Sequence, residues 1–337
     1  MKLFFLAAAA SLATMPGSAP EPIIDMHMHA ASPDEFGGPQ TACTNRDAVE
    51  FPPVDPRHAA TVQETATCAN PLPSARTADE NARRTGAIMR SYNIYGVLGA
   101  TKDTIPASLA NGRIWQQYAP GRYWIAVDFG DLRGASVAAL EQVVRTNQVQ
   151  VFAEISPQYD GETANAERLE PFFTMAEQLD VPVGLHLGEG PPGGASVLPG
   201  SKYSPAAGRP LDLEPLLARH PKLRLYIMHY GSPLVEETIA LLYSHPNVYV
   251  DIAQNDWGFP RAHFYRQLGQ LIDAGFGKRI MFGSDQMIWP DTIPLAIETI
   301  NSAPFLSQDQ KRDILYNNAA RFLRLTPAQI AAHRSGL

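Results

Sequence analysis

Short apolar runs alternate along this chain with longer segments whose apolar positions return every three or four residues. The runs are PIIDMHMH (22–29), IYGVLGA (94–100), YWIAVDF (123–129), VFAEI (151–155), VPVGLHL (181–187), LRLYIMH (223–229), NVYVDIA (247–253) and RIMFGSD (279–285). Most are near-continuous and rich in Val, Ile and Tyr, the composition of strands buried on both faces of a parallel sheet. The segments between them read as amphipathic helices, among them 77–92, 135–147, 165–179, 212–220 and 232–244. Thr77 with Glu80 offers a capping box, and Asp212 and Ser232 stand where they can cap. Eight strands alternating with helices predict an α/β fold of βαβ units closed into a (β/α)8 TIM barrel. An open doubly wound sheet is the alternative, disfavoured because no GxGxxG loop follows the first run.

Two segments break the alternation. Residues 30–76, between the first strand and its helix, hold both cysteines and many prolines, and are expected to form an ordered insertion over one end of the barrel. Residues 188–211, after the fifth strand, are rich in Gly and Pro and longer than a connection requires. There are no repeats, heptads or low-complexity linkers, so a single domain is expected from residue 20 to 337.

Composition changes the picture only at its edges. A chain of 337 residues, 45% of them hydrophobic, can bury one large core. Its net charge of −7 and the lack of any long Lys or Arg run argue against nucleic acid as a partner. The run LFFLAAAASLA (3–13) behind Lys2 is too short to span a bilayer but suits the apolar region of a secretory signal. Residues 1–19 are therefore expected to be a signal peptide, with cleavage after Ala13 or Ala19, and the mature chain to be periplasmic or secreted with no membrane-spanning segment. A buried N-terminal helix is the alternative. In an oxidising compartment Cys43 and Cys68 can pair, closing a loop of about 25 residues for roughly 3–4 kcal/mol; two free thiols are the other reading.

Chemistry concentrates at the strand ends. Of nine histidines, His27, His29, His186 and His229 fall at the ends of predicted strands. His27 and His29 are two apart and so project from one strand face. At the carboxyl end of a barrel strand that face is the mouth, where such folds place their catalytic groups. Asp285 ends the eighth run, and imidazoles and a carboxylate so placed can converge on one divalent cation, zinc being the expectation. Glu154 stands inside the apolar run VFAEI, where an isolated carboxylate is costly unless paired or bound to metal. It reads either as a bridge between two ions or as a carboxylate paired with a core Arg or exposed at the strand end. Asp251 either faces the mouth or caps. His220 and His245 precede prolines at helix ends, where an imidazole favours the dipole, and His58, His263 and His333 have no visible partner. Lys202, Tyr203 and Arg209 could contact an anionic group of a substrate.

Taken together, His27-x-His29, His186, His229, FGSD (282–285) and the run NNAARFLRL (317–325) resemble the amidohydrolase superfamily, in its amidohydrolase-related branch, over residues 22 to about 325. The resemblance implies that His27 and His29 bind a buried metal, that His186 and His229 bind a second metal or position substrate, and that Asp285 binds metal and shuttles protons. Many binuclear members carry a carboxylated Lys on the fourth strand; VFAEI has none, and Glu154 takes that place. The expected activity is metal-dependent hydrolysis of a small-molecule carboxylic ester, lactone or amide, with one or two ions per chain and Asp285 and His229 as catalytic groups. A mononuclear non-oxidative decarboxylase and a non-catalytic secreted binding protein are the alternatives, and oligomer formation is left open.

Overall fold

The computed structural model describes residues 20–336 apart from 56, 59, 133 and 199–201, so the expected signal segment 1–19 lies outside the described residues. The barrel strands are β1 (Ile23–His29), β2 (Ile94–Gly99), β3 (Tyr123–Val127), β4 (Val151–Ile155), β5 (Val183–His186), β6 (Leu225–Met228), β7 (Tyr249–Asp251) and β8 (Ile280–Met281). They form one parallel sheet in sequence order. The seam between its edges is joined by Met26 N donating to Phe282 O, Asp285 N to His27 O and His29 N to Gln286 O. Each strand matches one apolar run, and the eighth is shorter than its run because residues past Met281 leave the ladder for the mouth.

Helices pack outside, among them α1 (Ala78–Ser91), α2 (Ile105–Tyr118), α3 (Val137–Arg145), α4 (Glu170–Gln178), α5 (Glu214–Arg219), α6 (Val235–Ser244), α7 (Arg261–Asp273) and α8 (Thr292–Asn301). The caps correct the sequence reading in part. Thr77 accepts from Glu80 N, but the Glu80 carboxylate turns to Arg76 N, so only half of the capping box forms. Asp212 lies inside a 3-10 turn that leads into α5, and α6 starts three residues past Ser232, so neither caps.

Strand parity explains how the site is aimed. On β1, Ile24 and Met26 face the barrel interior while Ile23 and Met28 pack outward against the helices. The register slips between Asp25 and Met28. This bulge shifts the alternation by one residue, so His27 and His29 continue the inward row. The same happens on β4, where Val151 and Ala153 face in, Phe152 and Ile155 face out, and the register slips between Phe152 and Ile155. Glu154 is thereby turned inward; a regular strand would have aimed it at the helices. Gly184 on β5 has a different task, since a Cβ there would lie 2.5 Å from the Tyr226 ring that fills the interior.

At the amino-terminal end of the strands, Tyr316, Ala319 and Phe322 close the barrel interior. At the other end sits the insertion. Its Cys43 and Cys68 are disulfide-bonded with Cα atoms 5.7 Å apart. It is tied to the loops after three strands: Thr65 Oγ1 donates to Pro192 O (2.9 Å), Asn45 N to Trp257 O (2.6 Å) and Ala75 N to Ile288 O (2.8 Å). No helix among the described residues is long and apolar enough to cross a membrane.

Candidate metal centre

All six residues singled out in the sequence meet at the mouth. His27 Nε2 and His29 Nε2 lie 3.1 Å apart, and Asp285 Oδ1 is 3.5 and 3.0 Å from them. His186 Nδ1 and His229 Nε2 form a second pair, also 3.1 Å apart. Glu154 stands between the pairs. Its Oε2 is 3.4 Å from both His27 Nε2 and His29 Nε2, while its Oε1 touches His186 Nδ1 and lies 3.1 Å from His229 Nε2. Four ring nitrogens and three carboxylate oxygens thus converge.

The ring tautomers suit a cation. His229 Nδ1 faces Ala253 O at 3.0 Å and His186 Nε2 faces Glu189 O at 3.1 Å, so these nitrogens carry hydrogen and the partner nitrogens present lone pairs to the centre. His27 Nδ1 lies 3.3 Å from Asp251 Oδ2. Outer carboxylates and carbonyls of this kind fix ring orientation at metal sites. The carboxylate arrangement also draws positive charge. Burial by itself would strip protons from the rings, yet the charges of Asp285 and Glu154 hold His27 well above the ordinary imidazole value. Burial is likewise outweighed at His29, where hydrogen bonds to Asp285 and Glu154 push it up to about 9. Burial would raise Glu154 and Asp285 too, but the histidine charges keep both below the usual carboxylate range. Protons here occupy the place that a divalent cation fits, because metal ligands must be deprotonated. Three overlapping groups could hold such an ion: His27, His229 and Asp285; His27, His29 and Glu154; and Glu154, His186 and His229.

The backbone reaches these positions at a cost. His229 (φ 56°), Tyr230 (φ 42°) and Asp285 (φ 49°) all sit in the left-handed region, worth about 1–3 kcal/mol each for such residues. Asp251, open in the sequence reading, stands behind the site: Oδ1 accepts from His229 N (2.8 Å) and Ala253 N (3.1 Å). Asp25 carries no expectation from the sequence, although it shares the two-residue spacing of His27 and His29. Its Oδ1 accepts from His27 N and Ser284 N, binding β1 to the chain after β8, and burial raises its carboxyl to about 7.

The other sequence candidates lie outside the ligand groups. Arg209 is engaged by Glu237 (2.6 Å) and Lys202 is exposed, while the Tyr203 hydroxyl accepts from Gly190 N (2.6 Å). His220 pairs with Glu170 and Glu177, and His245 with Glu214. His333 does have partners: it stacks on Tyr95 at 3.6 Å and its Nδ1 lies 3.1 Å from Tyr316 Oη.

Comparison with known proteins bears on what this geometry belongs to. A family model described as Amidohydrolase matches residues 24–325. No curated protein matches the chain. Among solved structures, a probable 2-pyrone-4,6-dicarboxylic acid hydrolase from Acinetobacter baumannii is 16% identical, with a TM-score of 0.53, over 90% of this chain and 99% of its own. A dihydroorotase from Campylobacter jejuni is 13% identical, with a TM-score of 0.56, over 92% of this chain and 85% of its own. A 5-carboxyvanillate decarboxylase from Sphingomonas paucimobilis is 16% identical, with a TM-score of 0.50, over 71% of this chain and 82% of its own. At these identities the likeness establishes the shared barrel.

Proposed function

We propose that this chain, which belongs to the amidohydrolase family, is a binuclear metal-dependent hydrolase acting on a carboxylic ester, lactone or amide of a small molecule. The observation that carries the proposal is the two-sided placement of Glu154, with one oxygen toward His27 and His29 and the other toward His186 and His229. A carboxylate so placed suits two ions better than one. His27, His29 and Asp285 would hold the first, His186 and His229 the second, and Glu154 both; the all-nitrogen-and-oxygen donor set suits zinc.

Divalent ions bound there would supply Lewis acidity, lowering the pKa of a coordinated water from 15.7 toward about 7 and polarising a carbonyl oxygen. The chain's own groups do the rest. Asp285, ionised and buried, accepts the proton of the attacking water at a carboxylate oxygen and returns it to the leaving group. Asp251 and the carbonyls of Ala253 and Glu189 keep the rings in the tautomers that leave Nε2 of His27, Nε2 of His229 and Nδ1 of His186 free. His229, also expected to polarise substrate, faces Glu154 and His186 and is assigned to metal holding instead.

The structural likeness to a decarboxylase keeps a mononuclear decarboxylase as the second reading. Metal content per chain of the purified protein separates the two: about two equivalents, with metal-dependent turnover on an ester, lactone and amide panel, is expected. One equivalent and carboxylate-dependent CO2 release would favour the decarboxylase, and no bound metal would overturn both. Export belongs to the same proposal, since the apolar run 3–13 and a disulfide fit an oxidising compartment. Intact mass of the exported protein should lack at least the first 13 residues; a full-length cytoplasmic chain would refute it.

A further inference from the structure

Hydrolysis of an acyl group builds negative charge on the former carbonyl oxygen, and a hydrogen-bond donor aimed at it accelerates the reaction. The metal-holding side chains leave little to donate. The outer ring nitrogens of His186 and His229 face carbonyls and that of His27 faces Asp251. Neighbouring donors are committed as well: Lys102 to Glu35, Arg209 to Glu237, Trp257 Nε1 to Ser284 O, Gln158 Nε2 to Gly188 O, and Gln286 Nε2 to Asn81 and Met287.

Tyr159 is different. It follows β4 by a few residues, in a 3-10 turn over the mouth, and its ring stands edge-on to His186 with centroids 5.3 Å apart. Tyr203 leans on its other side at 5.2 Å. The residue is half-buried, and among the described residues its hydroxyl makes no hydrogen bond. Next to it a place is kept open: a Cβ on Gly190 would come within 2.9 Å of the Tyr159 oxygen. An ordinary phenol keeps its proton at neutral pH, so the hydroxyl is available as a donor.

We infer that the Tyr159 hydroxyl is a catalytic group that donates a hydrogen bond to the substrate's acyl oxygen on the His186 side of the centre. The inference rests on the proposed hydrolase reading. A phenol held by two ring contacts can pivot little, so the donor is pre-positioned. Among the described residues, a rival donor is Trp289 Nε1, which is buried without a partner beside Phe36 of the insertion.

The test uses the metal-loaded full-length protein with acetohydroxamic acid as an oxyanion-bearing probe and p-nitrophenyl acetate as a test ester. Tyr159→Phe keeps both ring contacts and should keep metal content and melting temperature. It should weaken hydroxamate binding, read by calorimetry, by about tenfold, and lower kcat by roughly 10–100-fold with KM little changed. Gly190→Ala, which crowds the hydroxyl, should produce a smaller loss in the same direction. Trp289→Phe should leave both readouts near wild type. Unchanged hydroxamate affinity and kcat in Tyr159→Phe, or the loss appearing in Trp289→Phe instead, would overturn the inference while leaving the hydrolase reading intact. A wild-type protein that holds metal but neither binds the hydroxamate nor turns over the ester would overturn the hydrolase reading and this inference together.

Discussion

The two ends of the barrel treat polar groups in opposite ways. At the amino-terminal end each buried or half-buried cation is answered: Arg224 donates to Asp180 (2.7 Å) and Phe322 O (2.9 Å), and Arg279 to the carbonyls of Leu242 and His245. At the mouth, imidazoles face imidazoles, and Asp285 Oδ1 and Asp251 Oδ2 face histidine rings rather than Arg or Lys. Backbone conformation divides the same way. Left-handed residues after helices at the amino-terminal end are Asn93, Asn147 and Asp180, types that tolerate that region, with Arg324 the exception. The mouth puts His229 and Asp285 there, and with them Tyr230 and Gln254, types that adopt it less readily. One end answers its cations and serves stability; the other gathers imidazoles and carboxylates that a bound cation and substrate would engage.

The comparison breaks most visibly at Glu154. Glu154→Gln should lower the affinity for at least one metal ion and cut kcat by at least about 100-fold, beyond what a lost outer partner costs. Yet the metal-free variant should melt no lower than metal-free wild type, because relieving a functional site tends not to destabilise. Elemental analysis, kinetics and calorimetry read all three; full metal content with a wild-type rate would make Glu154 a structural carboxylate. Asp285→Asn should instead retain most metal while turnover is lost.

Removing the disulfide tests whether the insertion belongs to the functional end or also to the stable one. Cys43→Ser with Cys68→Ser should cost up to about 3.5 kcal/mol by chain entropy, read as a lowered denaturant midpoint. A shift near that bound means that the insertion unfolds with the barrel. A negligible shift means that it opens by itself.

At the opposite end, Arg224→Ala should cost about 1–3 kcal/mol, the penalty for leaving Asp180 and the Phe322 carbonyl without their donor, with kcat and metal content unchanged. A change in kcat would contradict the division between the ends.

The smallest effect concerns pH. Burial, reinforced by the Arg122 charge, pushes His333 down to about 4 from an ordinary 6.5. A folded-state value below the unfolded one means that its stabilisation is complete above about pH 6.5 and is lost as pH falls toward 4. Allowing for partial exposure, roughly 1–2 kcal/mol is at stake. His333→Phe keeps the stack on Tyr95, so its stability gap to wild type should narrow by that amount between pH 7 and pH 4. A gap constant with pH would show that His333 titrates normally.

The sequence by itself determined the barrel. Eight apolar runs became eight parallel strands in order, because strands covered on both faces must be apolar throughout, and that signal is local. It also determined which residue types could hold metal: His27, His29, Glu154, His186, His229 and Asp285 stand out because ionisable groups at the ends of apolar runs are costly without a purpose. Only the tertiary structure decided their aim. By simple alternation from Ile24, Met26, Val151 and Ala153, the residues His27 and Glu154 belong to the outward row; bulges against β2 and β5 turned them inward. His229 enters through a left-handed backbone for which its own sequence carries no glycine signal. Caps at Asp212 and Ser232 and the partners of His333 were likewise settled by distant contacts. Periodicity reports what a segment buries, but a one-residue slip in pairing depends on the neighbouring strand, and no single segment encodes it.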